Sequence, residues 1–436
     1  MMSLFRKQEE EGLGSGVLEL ERLSKEGIPE SFENKKCFQE NGRMECERVQ
    51  GEEEGIGMIM PVSPAFTVET SFAARLDSSM AVPMCDLCVD TTLPDSALNL
   101  QVRGVCKALL RRWADDMDVF SLSITKISGG ITNMLLKVEL EGENGSQLPP
   151  VTVRVFGPNT DAVIDRDREL QAMNYLSLAG FGAKLLGVFA NGMVQSFIFG
   201  VTLEPRDMPK TELVPLIAAE VRRLHELDIP GSKQPQLWHD IYKFIDRASG
   251  LTFDDSKKQK QYETISFSSI RSEVEEIKEI SDTIGAPVVF AHNDLLSGNL
   301  MFNKEEGKLY IIDYEYGSYS YRGYDIANHF NEYAGFECDY SLYPSKDKQF
   351  HFFRHYLSPG NPEKATEREL EDLYAECNFF SLASHMYWAI WAIVQARFST
   401  IDFDYLAYFY LRFDEYKKCK EEVLSLTHNY LASGRI

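Results

Sequence analysis

Val288-Val289-Phe290-Ala291-His292-Asn293-Asp294-Leu295-Leu296-Ser297-Gly298-Asn299-Leu300-Met301-Phe302 holds most of the functional information in this chain. An apolar run leads into His292, Asn293 and Asp294, and Asn299 follows five places after Asp294. A second apolar run, Leu309-Tyr310-Ile311-Ile312, ends at Asp313 and Glu315. The pattern reads as strand, polar loop, hairpin and strand, with carboxylates and an amide gathered at the loop ends. Buried polar groups are costly unless they have partners. Polar groups at strand termini therefore point to a metal or phosphate site.

Upstream of this stretch, Leu98, Val102, Val105, Leu109 and Trp113 are spaced for one helix face, and the fold is expected to open near Asp95-Ser96. Residues 122–127 read as a strand, Ser128-Gly129-Gly130 as a tight turn and residues 134–140 as a second strand. A third strand, 151–156, puts Val151, Val153 and Val155 on one face and Thr152, Arg154 and Phe156 on the other. The next helix, about 165–178, brings Glu169 fifteen residues after Arg154. A surface charge is the bland reading of Arg154. The sharper one is a phosphate-contacting cation held by Glu169, because a guanidinium fork suits both carboxylate and phosphate.

Residues 193–199 read as a further strand, after which the pattern turns helical. Leu213, Leu216, Ile217, Val221 and Leu224 share a face over 211–228, with Pro215 near the first turn, where proline costs least. Residues 249–270 are polar and aperiodic and read as a mobile connection. A charged helix over 271–283 and long helices over 366–397 and 404–430 complete an α+β chain, a small sheet lobe followed by a helical one.

The 436 residues carry a formal charge of −22 and a pI near 4.9. Such a surface repels nucleic acid and anionic membrane, so neither is an expected partner. No apolar run of about 18 residues is present, so no membrane insertion is expected. The charged, Glu-rich start lacks the apolar core of a signal peptide, and a cytoplasmic protein is expected. Of eight cysteines, Cys85 and Cys88 form a single C-x-x-C without a second pair, which reads as reduced thiols rather than zinc ligands. Residues 1–95 show charged clusters and interrupted periods and are expected to be a disordered acidic tail.

Asp294-x-x-x-x-Asn299, followed fourteen residues later by Asp313, matches the logic of kinase catalytic loops. There an Asp accepts the proton of the substrate hydroxyl, while an Asn and a second Asp hold Mg²⁺ against the nucleotide phosphates. Asn299, Asp313 and Glu315 offer the hard oxygens this metal requires. No G-x-x-x-x-G-K-[ST] loop exists, so the turn at Ser128, Gly129 and Gly130 is expected to cover the phosphates. Asp and Asn also cap ordinary loops. Their place between two apolar strands, with Asp313 behind and the Arg154/Glu169 pair upstream, favours the kinase reading.

At this point a family resemblance enters. His292-Asn293-Asp294-Leu295-Leu296-Ser297-Gly298-Asn299, then Ile312-Asp313-Tyr314-Glu315-Tyr316, then Arg322-Gly323-Tyr324-Asp325-Ile326-Ala327-Asn328-His329-Phe330-Asn331-Glu332, strongly resemble the choline/ethanolamine kinases, closest to the ethanolamine branch. The resemblance runs from about residue 95 to the C-terminus. It implies a protein-kinase-like two-lobed fold, with a small antiparallel N-terminal sheet lobe and a larger, mostly helical C-terminal lobe. Residues 96–200 would bind ATP, and 201–436 would hold catalytic and substrate residues. Carried over, Asp294 is the base, Asn299 and Asp313 are Mg²⁺ ligands with Glu315 in support, and Arg154 is the phosphate-binding cation with Glu169 as its partner. Asp325 braces the loop, His292 orients it, and Arg322 is a buried strut. A homodimer is expected alongside.

An ammonium substrate needs carboxylates, aromatic faces, or both. Asp294 and Glu332 are the candidate acids, Trp388 and Trp391 lie three apart on one helix face, and Tyr408 lies on the next segment. Tryptophans in an apolar helix are usually core. The resemblance reverses that reading, because the family's ammonium pocket lies at matching positions. Tyr333-Ala334-Gly335-Phe336 and Leu295-Leu296 are more like the ethanolamine branch, since choline-type members carry bulkier, more aromatic residues after the Glu. The expected reaction is ATP-dependent phosphorylation of ethanolamine for phosphatidylethanolamine synthesis. The rivals are a choline or broad amino-alcohol kinase, an aminoglycoside-type phosphotransferase and an inactive kinase-like scaffold. The run from Arg322 to Glu332 speaks against the aminoglycoside-type phosphotransferase, and the intact Asp294, Asn299 and Asp313 speak against the inactive scaffold.

Overall fold

In a computed structural model of the chain, residues 36–40, 43–47, 82–110, 122–127, 133–140, 148–157, 160, 164–399 and 401–434 are described. Strands β1 (Lys36–Glu40) and β2 (Arg43–Glu47) form an antiparallel hairpin within a separate unit, Leu4–Thr67. The other unit, which runs from Val68 to Ile436, contains all remaining elements. The turn at Ser128, Gly129 and Gly130, expected to cover phosphate, lies outside the described residues, as does Trp113.

Alternation along the third predicted strand builds the first lobe. Strands β3 (Met84–Cys85), β4 (Leu122–Ile127), β5 (Asn133–Leu140), β6 (Val151–Phe156), β7 (Leu185–Phe189) and β8 (Gly192–Ser196) form one sheet in the order β3-β7-β8-β6-β5-β4. Every neighbouring pair is antiparallel except β3 with β7, which is parallel. Helix α1 (Asp95–Leu109) lays Val102, Val105 and Leu109 on the apolar face, where they join Val138, Val151, Val153 and Val155. The period of two then sends Arg154 to the opposite face, towards the second lobe. Helix α2 (Arg166–Leu178), capped by Asp165 accepting from the Arg168 amide at 3.1 Å, presents Glu169 to the same side.

Two expectations are corrected here. The chain before Asp95 is not wholly without structure: besides the β1–β2 hairpin, β3 extends the sheet and Val89 is buried in its core. Asn191 ties that segment down through both polar groups of the Val89 backbone, at 3.0 and 2.8 Å. The strand expected over 193–199 is β8, which ends at Ser196, and it forms a hairpin with β7, where no strand was expected.

The second lobe begins with β9 (Val201–Thr202), which pairs with β11 (Leu300–Asn303), itself paired with β12 (Lys308–Ile311). Strand β10 (Val288–Ala291) pairs with β13 (Ser318–Tyr321). Helices α3 (Val214–His225), α4 (Leu237–Ser249), α5 (Ser256–Glu263) and α6 (Phe267–Ile284) precede these strands. Helices α7 (Arg322–Asn331), α8 (Lys346–Leu357), α9 (Glu367–Phe398) and α10 (Tyr405–Ala432) follow them. Helix α9 is buried on every side from Ala375 to Gln395, which makes it the lobe's central helix. The connection expected over 249–270 holds α5 instead. That helix buries only Tyr262, so it shows no apolar stripe, and its Asp255 cap is the one local signal. Among the described residues no helix is long and apolar enough to cross a membrane.

Candidate active site

The loop between β10 and β11 is held from behind. Asp325, on α7, accepts the backbone N–H of His292 at 2.9 Å and of Asn293 at 2.7 Å. Its carboxylate also meets His225 Nε2 at 2.9 Å, and His225 Nδ1 meets the Tyr356 hydroxyl at 2.8 Å. Burial alone would raise the Asp325 pKa, but His225 and these amides outweigh it and hold the carboxyl below its ordinary value. His292 is fully buried and bonds the Ile312 carbonyl through Nε2 at 2.9 Å, while its Nδ1 faces the Asp294 amide at 3.2 Å. Burial lowers its pKa, so it serves as a neutral strut. Asn293 and Asp313 both adopt left-handed backbone angles, φ +65 and +66. Such angles are unusual for non-glycine residues and persist only where surrounding bonds impose them. For Asn293 those are the Asp325 carboxylate and bonds of 2.9 Å from its side chain to the Tyr316 carbonyl and the Ser318 hydroxyl.

Asp294 emerges from this frame with one oxygen occupied. Asn299 Nδ2 donates to Asp294 Oδ2 at 3.0 Å and to the Asp294 carbonyl at 2.8 Å. Among the described residues the Asp294 carboxylate is hydrogen-bonded through Oδ2 alone. Burial first, then the charges of Glu332, Asp313 and Glu315, push the Asp294 carboxyl well above the usual carboxylate range. A raised pKa makes it a stronger base than an exposed Asp.

Across from the loop, the Arg154 guanidinium gathers three carboxylates. Its Nη2 lies 2.7 Å from Asp313, 2.8 Å from Glu315 and 3.2 Å from Glu169. Burial opposes its charge, but Asp313, Glu169 and Glu315 prevail and hold it firmly protonated. Glu169 makes its clearer bond with Arg166, at 2.6 Å. Arg166 also lies 3.7 Å from Glu315 and stacks over the Phe156 ring at 4.2 Å. Arg166 was not singled out from sequence, although it stands one helical turn before Glu169. Glu315 is pushed up to about 7 by burial and by Asp313, against the pull of both arginines.

The donor set suits Mg²⁺. Because Asn299 turns Nδ2 inward, its Oδ1 is left as an acceptor, and Asp313 Oδ1 touches Arg154 without a well-directed hydrogen bond. Three mutually repelling carboxylates, Asp294, Asp313 and Glu315, lie within electrostatic reach. Among the described residues no three His, Cys, Asp or Glu side chains form a protein-only metal cage. Mg²⁺ does not require one, as it binds through one or two carboxylates plus phosphate oxygens and water. Glu315 commits Oε2 to Arg154 and to Asn133 Nδ2, at 2.8 and 3.0 Å, so its part is to support the cluster.

The candidate substrate residues other than Asp294 come from the turn after α7, from α9 and from α10. Trp388 Nε1 donates to Asn328 Oδ1 at 2.7 Å and Trp391 Nε1 to the Tyr316 hydroxyl at 2.8 Å. The two indoles pack edge to face at 5.3 Å, and Tyr316 meets Trp388 at 5.3 Å. Glu332 Oε1 accepts from Arg412 Nη1 at 2.8 Å, and the Tyr408 hydroxyl lies 3.3 Å from the same nitrogen. Arg412 was missed by the sequence reading, though it stands four residues after Tyr408 on one face of α10. Arg322 is salt-bridged to Glu376, as a strut would be.

A sheet lobe bearing a buried cation, set against a helical lobe bearing an Asp–Asn–Asp loop, defines a kinase-like phosphotransferase class. The choline/ethanolamine kinase family model matches residues 124–417. A probable ethanolamine kinase of Arabidopsis thaliana is 54% identical over 353 residues, 81% of this chain and 94% of the relative. A probable ethanolamine kinase of Dictyostelium discoideum is 41% identical over 306 residues, 70% of this chain and 87% of the relative. The solved structure of a Plasmodium vivax ethanolamine kinase superposes with a TM-score of 0.66 at 29% identity, covering 74% of this chain and 89% of the other. The chain belongs to the choline/ethanolamine kinase family.

Proposed function

We propose that the protein transfers the γ-phosphoryl group of ATP to the hydroxyl of ethanolamine, giving phosphoethanolamine for phosphatidylethanolamine synthesis. The observation that carries this reading is the pairing of Asp294 and Glu332. Each carboxylate has one oxygen bonded within the protein, and after burial the Glu332 charge is the largest cause that raises the Asp294 pKa. A primary ammonium has three donors and needs acceptors of this kind. The Arabidopsis and Dictyostelium relatives, both named as probable ethanolamine kinases, support the same substrate.

In this mechanism Asp294 Oδ1 takes the proton of the ethanolamine hydroxyl as its oxygen attacks the γ-phosphorus, and ADP leaves with the bridging oxygen's electrons. Asn299 holds Asp294 in the accepting orientation through Oδ2. Arg154 offers its guanidinium to phosphate oxygens, with Glu169, Arg166 and Glu315 fixing its position. Asn299 Oδ1 and Asp313 would hold Mg²⁺, which neutralises developing phosphate charge. Glu332, with the edges and faces of Trp388, Trp391 and Tyr408, would receive the ammonium end. Ser128, Gly129 and Gly130 are proposed to cover the phosphates.

Measuring kcat/KM for ethanolamine and choline side by side tests the reading. Ethanolamine should lead by about tenfold or more, the usual scale for one misplaced polar contact. A choline preference would transfer the assignment to the choline branch.

A further inference from the structure

Arg412 is among the largest fully buried side chains in the molecule, yet the phosphoryl-transfer scheme leaves it without a task. It joins three elements. Nη1 donates to Glu332 Oε1 at 2.8 Å, in the turn after α7, and lies 3.3 Å from the Tyr408 hydroxyl on α10. Nη2 reaches Ser384 Oγ at 3.1 Å, on α9. Ser384 Oγ then donates to Asn328 Oδ1 at 2.9 Å, the oxygen that also receives Trp388 Nε1. One guanidinium is thus connected to the acid and, through three hydrogen bonds by way of Ser384 and Asn328, to an indole of the same pocket. A buried cation of this kind is a poor source of stability in itself, because its desolvation offsets most of the attraction.

Two consequences follow from the chemistry. Arg412 engages Oε1, and among the described residues the Glu332 carboxylate is hydrogen-bonded through that oxygen alone, so it presents Oε2 in a fixed direction. It also offsets the Glu332 charge, so Asp294, Glu332 and Arg412 together carry a formal charge of −1. A single primary ammonium balances that charge on binding.

We propose that Arg412 is a positioning residue for substrate recognition, which aims Glu332 Oε2 at the ammonium and matches the pocket to one positive charge. This rests on the ethanolamine reading above. It acts through Glu332, so its signature is in substrate binding rather than in the chemical step.

The test measures steady-state kinetics of the full chain with ethanolamine and, separately, with ATP. Arg412→Met should raise KM for ethanolamine by about tenfold or more, the scale for breaking a buried charge pair, with kcat and KM for ATP within about threefold of wild type. Arg412→Lys keeps the charge without the fork and should recover part of the loss. Glu332→Gln combined with Arg412→Met should cost less than the sum of the two single changes, because both act on the same carboxylate. An unchanged ethanolamine KM, a parallel fall in all parameters for Arg412→Lys, or strict additivity with Glu332→Gln would overturn the role. Should Arg412→Met not fold, Arg412→Lys and its double variant with Glu332→Gln carry the test. Wild-type protein inactive on ethanolamine would instead overturn the substrate assignment, a result readable before any variant is made.

Discussion

Asp294 carries a stability penalty that its chemistry explains. Burial and three neighbouring carboxylates raise its pKa in the fold, so the native state binds this proton more tightly than the unfolded chain does. The resulting stability is full below the unfolded carboxylate value of about 4 and is lost as pH rises through the folded value. Asp294→Asn is uncharged at every pH and should therefore raise Tm at pH 8 by roughly 2–4 °C, with the gain vanishing near pH 4. A lower Tm at pH 8 would mean that the carboxylate is paid for by contacts not accounted for above. Asp313→Ala should lose the Mg²⁺-dependent activity in the millimolar range, read by titrating the metal at fixed ATP. An unaltered Mg²⁺ curve would count against its place as a ligand. Gly335, in the run that resembles the ethanolamine branch, sits at φ +59, and an added Cβ would approach Pro205 to 3.2 Å. Its backbone accounts for the glycine before the pocket does.

At the scale of elements, legibility followed periodicity. Strand β6 was readable because Val151, Val153 and Val155 alternate with Arg154 over a half-polar sheet, and the structure places Arg154 and Glu169 within 3.2 Å. Helix α9 was readable because Thr366 and Glu369 form a capping box before a long apolar run. Helix α5 was not, since a short polar helix that buries one tyrosine has no stripe to detect. Strand β7 was missed because Gly187 interrupts its run and carries the register shift in the hairpin. The same logic applies to Arg412 and Arg166, which belong to no loop motif; only their helical offsets from Tyr408 and Glu169 could have marked them. The capping box gives a separate test of helix α9. Thr366→Ala removes a side-chain bond to the Glu369 amide and the returning 2.8 Å bond to Glu369 is weakened with it. The cost should be about 1 kcal/mol, seen as a small drop in Tm with kcat unchanged. A large loss of kcat would show that the helix start and the distant tryptophans are coupled.

At the scale of the molecule, the acidic start of the chain and the catalytic unit are separable propositions. The unit Leu4–Thr67 is distinct from the rest, whereas Met84–Cys85 and Val89 belong to the first lobe's sheet and core. Deleting residues 1–81 should leave kcat/KM within about twofold, while deleting residues 1–94 should lower Tm by several degrees through loss of β3 and the Val89 contacts. Equal Tm values for the two truncations would contradict the role given to that segment. The two lobes and the loop chemistry were legible because the residues concerned lie in long contiguous motifs. The pocket was less so, because its parts come from α7, α9 and α10 and meet only after folding. The most direct test of the whole account is phosphorus-31 NMR of wild-type protein and Asp294→Ala, each incubated with ATP, Mg²⁺ and ethanolamine. The account predicts a phosphoethanolamine resonance for wild type, formed at least about 10²-fold more slowly by the folded variant. A folded Asp294→Ala protein that makes phosphoethanolamine at the wild-type rate would contradict it.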